Sequence, residues 1–348
     1  MGNLLAYSGI VAKVSGMQAK LLTQKEFEEI AELRNVVDVV SYLKEKPGYA
    51  VEFQELDENK LHRGDVEKML TLSLYRSYSS LYSFSGMEQK RFLNLYLKRY
   101  EVELINYCLR IIFNHSAQPF DLTYKKPFFD RYSKISIDRL IAAEDISGLI
   151  DALEGTDYYI PLNRLREAQA HTLYDFDLAL NLYYYTAIWK MRKKLLKGKE
   201  LEIFTKDVGY KIDLMNLQWI YRAKKYYNMS PADIYEILIP VQYKLRPEMF
   251  RNLVEAATLE EVITLFRSTP YGVHYDLDDN IKPEQMGKEI LKKLYLTDRR
   301  KNPYSIATIN TYLFLKEQEI DKLTSALECI RYGYSASEVL AHIGGVMK

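Results

Sequence analysis

The chain has 348 residues, with 48 Lys and Arg against 47 Asp and Glu and a formal net charge of +1. That balance argues against a whole-chain electrostatic partner such as duplex nucleic acid. Only 2 Cys exclude a disulfide framework or a cysteine zinc site, and 48% hydrophobic with 27% charged residues excludes disorder.

No apolar run reaches the roughly 18 residues that a bilayer span requires. The opening MGNLLAYSGIVAKVSG lacks a basic stretch leading into a long apolar core, so no signal peptide is expected. These features predict a reduced, cytoplasmic protein of two to three domains or one internally repeated domain. Gly (15) and Pro (10) are few while Tyr numbers 30. Scarce breakers favour long helices, and tyrosines suit crowded helix contacts where the ring is buried and the hydroxyl reaches a rim.

In chain order, Phe27 to Leu43 carries apolar residues at the spacing of a buried helical stripe broken by a short turn. Arg91 to Phe113 predicts one long helix without a glycine or proline, and Leu173 to Leu196 and Tyr304 to Ile330 read the same way. Ser335 and Glu338 form a Ser-x-x-Glu capping box that opens the last helix. Strand alternation bounded by Asn-Gly or Asp-Gly turns is missing. The expected fold class is all-α.

Three segments align: Ile30 to Tyr49, Leu140 to Tyr159 and Leu253 to Gly272. Their apolar positions coincide at Ile30, Leu140 and Leu253, at Val39, Leu149 and Val262, and at Leu43, Leu153 and Phe266. Each reads as a short helical hairpin with a polar cap at its turn, and each closes on Gly or Pro and a Tyr. A longer helix also recurs, with Glu101 to Arg110 aligned to Asp213 to Arg222 and, less closely, to the run from Glu319. The spacing is about 110 residues, which predicts three related helical domains over 1–118, 119–240 and 241–348.

Chemistry is harder to find. His62, His115, His171, His274 and His342 form no metal-ligand spacing and read as structural or surface histidines. Phosphate-binding glycine loops and a Gly-x-Ser-x-Gly elbow are absent. Asp276 and Asp279 are three apart, as in helical magnesium-dependent enzymes, but neighbouring Pro270, Gly272 and Pro283 make the cluster a loop. The basic run Lys190 to Lys199 has two readings, contact with anionic headgroups or phosphates, or closure of a helix C-terminus at Gly198. The Tyr183–Tyr185 triplet points three ways around a helix, so at least one ring is expected exposed or at a seam. Cys108 and Cys329 read as buried, inert hydrophobes.

The chain resembles the C subunit of archaeal and bacterial V-type (A/V-type) rotary ATPases, a relative of the eukaryotic d subunit. The residues that carry the likeness are the opening Tyr7 to Leu22, the third hairpin ending Leu265 to Gly272, Asp213 with Asn216-Leu217, and Tyr312 to Glu317 leading to Arg331-Tyr332-Gly333. The third long helix departs from the family, with Lys322 where an Asn is usual. The resemblance implies three helical domains around a pseudo-threefold axis forming a funnel. Its base would rest on the proteolipid ring and its cavity would receive the central-stalk D and F subunits. The chain would be a non-catalytic rotor adaptor without cofactors, peripheral on the cytoplasmic face, that passes torque between ATP chemistry and proton or sodium transport. Arg110, Arg222, Lys225 and Arg331, near the ends of the long helices, are candidates for meeting acidic partner surfaces; intramolecular helix-end contacts are the alternative. A generic helical scaffold and a magnesium-dependent enzyme are the competing readings.

Overall fold

The computed structural model describes residues 2–62, 64–114, 121–274 and 283–344. Among the described residues every regular element is helical, which makes the fold all-α as expected. No helix among them is long and apolar enough to cross a membrane. The chain forms two compact units, one from residues 1–86 with 302–348 and the other from residues 87–301.

The first unit opens with the helix Gly2–Gln18 and the helix pair Gln24–Ala31 and Val36–Lys44, the first hairpin. Thr23 and Glu26 form a reciprocal capping box at the start of the pair, and Asn35 accepts from the Asp38 N–H at its turn. The hairpin buries Phe27, Ile30, Val39, Val40 and Leu43 against Leu323, Leu327 and Ile330 of the long C-terminal helix Ile306–Arg331. The first hairpin therefore shares its core with a helix from the opposite end of the sequence. The last helix, Ala336–His342, starts at the expected Ser335–Glu338 box.

The helix Asp65–Phe84 has no counterpart among the expected elements. Its second half is rich in serine and tyrosine, which gives weak helical propensity. The hydroxyls of Ser77, Ser83 and Ser85 turn back onto the carbonyls of Ser73, Ser79 and Leu81, and Leu70, Tyr78 and Leu81 are buried. Tertiary packing overrides the local preference there.

The second unit contains the long helices Met87–Phe113, Leu173–Leu195 and Gly198–Arg222, the first two close to the expected spans. Two more hairpins are built like the first. Ile137–Ile141 and Ile146–Ala152 are joined at Asp145, which accepts from the Gly148 N–H; Pro247–Glu255 and Leu259–Arg267 are joined at Thr258, which accepts from the Glu261 N–H. The hairpin over 247–267 buries Phe250, Leu253, Val262 and Phe266 against Leu214, Leu217, Ile220 and Tyr221.

The basic run 190–199 ends one helix and begins the next, with Gly198 at φ +51° supplying the backbone reversal. Arg192 points inward, its guanidinium 3.4 Å from the Trp189 ring centre and its Nε donating to Thr205 Oγ1. Of the tyrosine triplet, Tyr184 and Tyr185 are buried, and the half-buried Tyr183 packs edge-on to Tyr158. Both cysteines are buried, and burial pushes the Cys108 thiol up to about 12, where it is unreactive.

Lys125 is buried at 9% exposure, its ammonium 5.0 Å from the Tyr124 ring centre and 5.9 Å from that of Tyr107. Desolvation lowers its pKa from 10.5 to about 8, with Glu103 opposing the shift. The unfolded chain holds this proton up to about pH 10.5 and the folded chain only to about 8, so Lys125 costs stability at pH 7 and costs less as pH rises through that window. Lys125→Met is expected to stabilise the protein by about 1–3 kcal/mol at pH 7. Paired denaturant titrations should show the gain shrinking between pH 8 and 10.5; a gain independent of pH would contradict this assignment.

Candidate functional site: carboxylate clasps and the ends of the long helices

Three buried carboxylates hold the three hairpins in the same way. Glu101 lies on Met87–Phe113, Asp213 on Gly198–Arg222 and Glu319 on Ile306–Arg331. Each accepts a hydrogen bond from the tyrosine that closes a hairpin. Tyr158 Oη donates to Glu101 at 2.7 Å, Tyr271 Oη donates to Asp213 at 2.7 Å, and Tyr49 Oη donates to Glu319. All six side chains are buried.

Each carboxylate also holds the chain just before its hairpin begins. Glu101 accepts from Ser133 Oγ and Glu319 from the Leu22 N–H. Asp213 accepts from the N–H groups of Tyr243, Lys244 and Leu245 at 3.0, 2.6 and 3.1 Å. One acid on a long helix thus ties both ends of a hairpin and fixes its seat. Charge-assisted hydrogen bonds of this kind are about twice as strong as neutral ones. Burial and the adjacent carboxylate raise the phenol pKa values of Tyr49, Tyr158 and Tyr271, so these hydroxyls remain donors at neutral pH. Burial also raises the Asp213 carboxyl, against the pull of its four donors.

Space is restricted where the hairpins close. A Cβ on Gly48 would stand 2.6 Å from the Lys20 carbonyl oxygen, and one on Gly272 would stand 2.1 Å from that of Phe266. Both close contacts are with backbone, which cannot swing aside, so these two closures require glycine.

The four basic residues expected to meet partners all have intramolecular neighbours. Arg222 pairs with Glu284 at 3.5 Å, and Lys225 donates to Tyr221 Oη at 2.9 Å. Arg331 pairs with Glu328 and, at 3.6 Å, with Glu67. Arg110 is exposed and acts electrostatically on Asp177, whose carboxyl is raised by burial and lowered in part by this arginine.

The fold brings two of them to one place. Arg222 lines a cleft of about 590 Å³ with Tyr174, Asp177, Trp219 and Tyr227, and Arg110 attends the same Asp177. Lys225 stands beside it, on a π-helical turn over Ala223–Tyr227 that ends at Asn228 with φ +45°. Such turns often occur at functional positions. Tyr174, Tyr226 and Tyr227 are exposed here, and Tyr332 and Tyr334 are exposed just beyond Arg331 in the other unit.

Among the described residues, no group of three or more His, Cys, Asp and Glu is placed to hold a metal ion. Asp276 and Asp279 lie outside the described residues, as does His115. His342 is fixed by the Glu338 carbonyl at 2.9 Å and an edge contact with Tyr334.

The sequence matches the family described as ATP synthase (C/AC39) subunit over residues 10–342. It is 26% identical over 350 residues to the C subunit of the A-type ATP synthase of Pyrococcus abyssi, covering 97% of this chain and 90% of that protein. The same subunit of Thermococcus kodakarensis is 24% identical over 349 residues, covering 98% and 91%, and that of Archaeoglobus fulgidus 24% over 345, covering 97% and 96%. With a match that leaves out only the ends and three long helices that each seat a hairpin through a buried acid, the chain belongs to the ATP synthase (C/AC39) subunit family.

Proposed function

We propose that the protein is a non-catalytic rotor adaptor of an A-type or V-type ATPase, joining the central-stalk D and F subunits to the membrane proteolipid ring. The family match over residues 10–342 carries this reading. The chemistry supports it: a coupling part needs rigidity and recognition surfaces, and interior packing with buried charge-assisted clasps supplies rigidity.

The three-domain organisation belongs to the same proposal. Its structural unit is one long helix together with the hairpin that its acid clasps: Glu101 with the hairpin ending at Tyr158, Asp213 with that ending at Tyr271, and Glu319 with that ending at Tyr49. On this reading the first hairpin completes the last repeat. Arg110, Arg222, Lys225 and Arg331, with the exposed tyrosines beside them, then face acidic surfaces of the stalk or ring. Their intramolecular partners are mostly half-exposed, so they exchange at little cost.

Co-expression with the D and F subunits of the same organism tests the proposal. A stoichiometric complex on size exclusion, one copy of each, is the expected result. Absence of a complex with D and F, and again with detergent-solubilised ring present, would overturn it in favour of a scaffold with other partners.

A further inference from the structure

Four cations converge on a small cavity in the first unit. The cavity is about 80 Å³ and is lined by Lys13 and Lys20 at the N-terminal end, Arg76 and Ser80 of Asp65–Phe84, and Lys316 of Ile306–Arg331. Two of these cations already have carboxylates. Arg76 forms a two-point pair with Glu52, and Lys316 donates to Glu319 at 2.9 Å. Lys13 and Lys20 have no carboxylate partner among the described residues; Lys13 has only the Phe84 ring, 4.7 Å from its ammonium.

Donors remain after this pairing. Arg76 commits Nε and Nη2 to Glu52 and to the Gly48 carbonyl, and no acceptor among the described residues meets its Nη1. The Ser80 hydroxyl has no partner among them either, whereas neighbouring Ser77 is occupied by Ser73 and Tyr312. Lys316 is 2% exposed, and the positive field of Arg76 disfavours its charge. An anion in the cavity would relieve that repulsion and meet the free donors together.

Size narrows the choice. A water occupies about 30 Å³ in the liquid, so the cavity has the volume of two or three waters. That suits one tetrahedral oxyanion.

We propose that this cavity binds a single phosphate ion, held by Lys13, Lys20, Arg76 Nη1 and the Ser80 hydroxyl. Bound there, the ion would connect the N-terminal segment to Asp65–Phe84, beside Lys316 of the long C-terminal helix. The site stands independently of the adaptor reading, because it rests on donors internal to one unit.

Isothermal titration of the full chain with sodium phosphate, against sodium chloride at matched ionic strength, is the test. One saturable site is expected in phosphate and none in chloride. The double substitution Lys13→Met with Lys20→Met should weaken the phosphate affinity at least tenfold, and Ser80→Ala should weaken it by a smaller factor. Neither lysine has an ion pair to lose, so the thermal midpoint of the double variant in chloride should stay near that of the parent. Ser80→Ala reports on the same site if the double variant misfolds. Absence of saturable heat up to about 10 mM phosphate, which corresponds to a site weaker than about −3 kcal/mol, overturns the proposal. Equal affinity in the parent and in the variants that fold also overturns it.

Discussion

Asp213→Ala is expected to lower unfolding stability by about 3–5 kcal/mol, among the largest effects of any single substitution in the second unit. The side chain is fully buried and accepts four hydrogen bonds, three from consecutive backbone N–H groups and one from Tyr271. Alanine leaves those donors unsatisfied, and a buried donor without an acceptor costs about 1–3 kcal/mol. Lys244 is exposed, so water recovers part of the loss at its N–H. Asn216, one turn along the same helix, continues to hold the Ile239 N–H and carbonyl at 2.9 and 3.0 Å and keeps the neighbouring segment in place.

Two milder variants separate the contributions. Asp213→Asn keeps the shape but turns an amide toward at least one donor, and should cost about 1–3 kcal/mol. Tyr271→Phe removes one donor and leaves the acid with its three N–H partners, and should cost about 1 kcal/mol. Calorimetry of the three variants checks the order. If alanine and phenylalanine cost the same, the backbone N–H bonds to Asp213 carry no net stability and the clasp is only a tyrosine–acid contact.

Much of the fold is readable from local patterns, and the exceptions have physical causes. The hairpins are legible because their N-caps, apolar spacing and closing glycines or prolines are short-range signals; Asn35, Asp145 and Thr258 each take the role that their residue type favours. The acids Glu101, Asp213 and Glu319 fall in register in the sequence, yet nothing local distinguishes a buried acid from a solvated one on an amphipathic helix. Only the fold reveals that each meets a tyrosine. The Tyr49–Glu319 contact spans 270 residues, far beyond the reach of periodicity. Arg110 and Arg222 could be placed near helix ends, but Asp177, which Arg110 attends and which lines the cleft with Arg222, comes from a different helix, Leu173–Leu195, which supplies one side of the cleft. Lys13, Lys20, Arg76 and Lys316 gave no signal at all, because they are scattered over three segments.

The buried pair Lys316–Glu319 gives the other large expected effect. The two side chains are 3% and 4% exposed, and the lysine ammonium also sits 3.8 Å from the Tyr49 ring centre. Removing one member of such a pair strands the other charge, at a cost of about 3–5 kcal/mol. Lys316→Met strands Glu319, which still has the Tyr49 hydroxyl and the Leu22 N–H, so its cost should fall at the lower end. Glu319→Gln leaves the lysine with the Tyr49 ring and the attraction of Glu52, which Arg76 opposes, and should cost more. Burial already lowers the Lys316 pKa, and loss of the acid lowers it further. Between that value and the ordinary 10.5 the unfolded chain then binds the extra proton, so the deficit of Glu319→Gln should narrow as pH rises toward 10. The double variant should be more stable than the sum of the single losses predicts, with a coupling of about 2 kcal/mol. Additive single costs, or a Glu319→Gln deficit unchanged from pH 7 to 10, would mean that Lys316 is already neutral in the native protein and that its bond to Glu319 is an ordinary hydrogen bond.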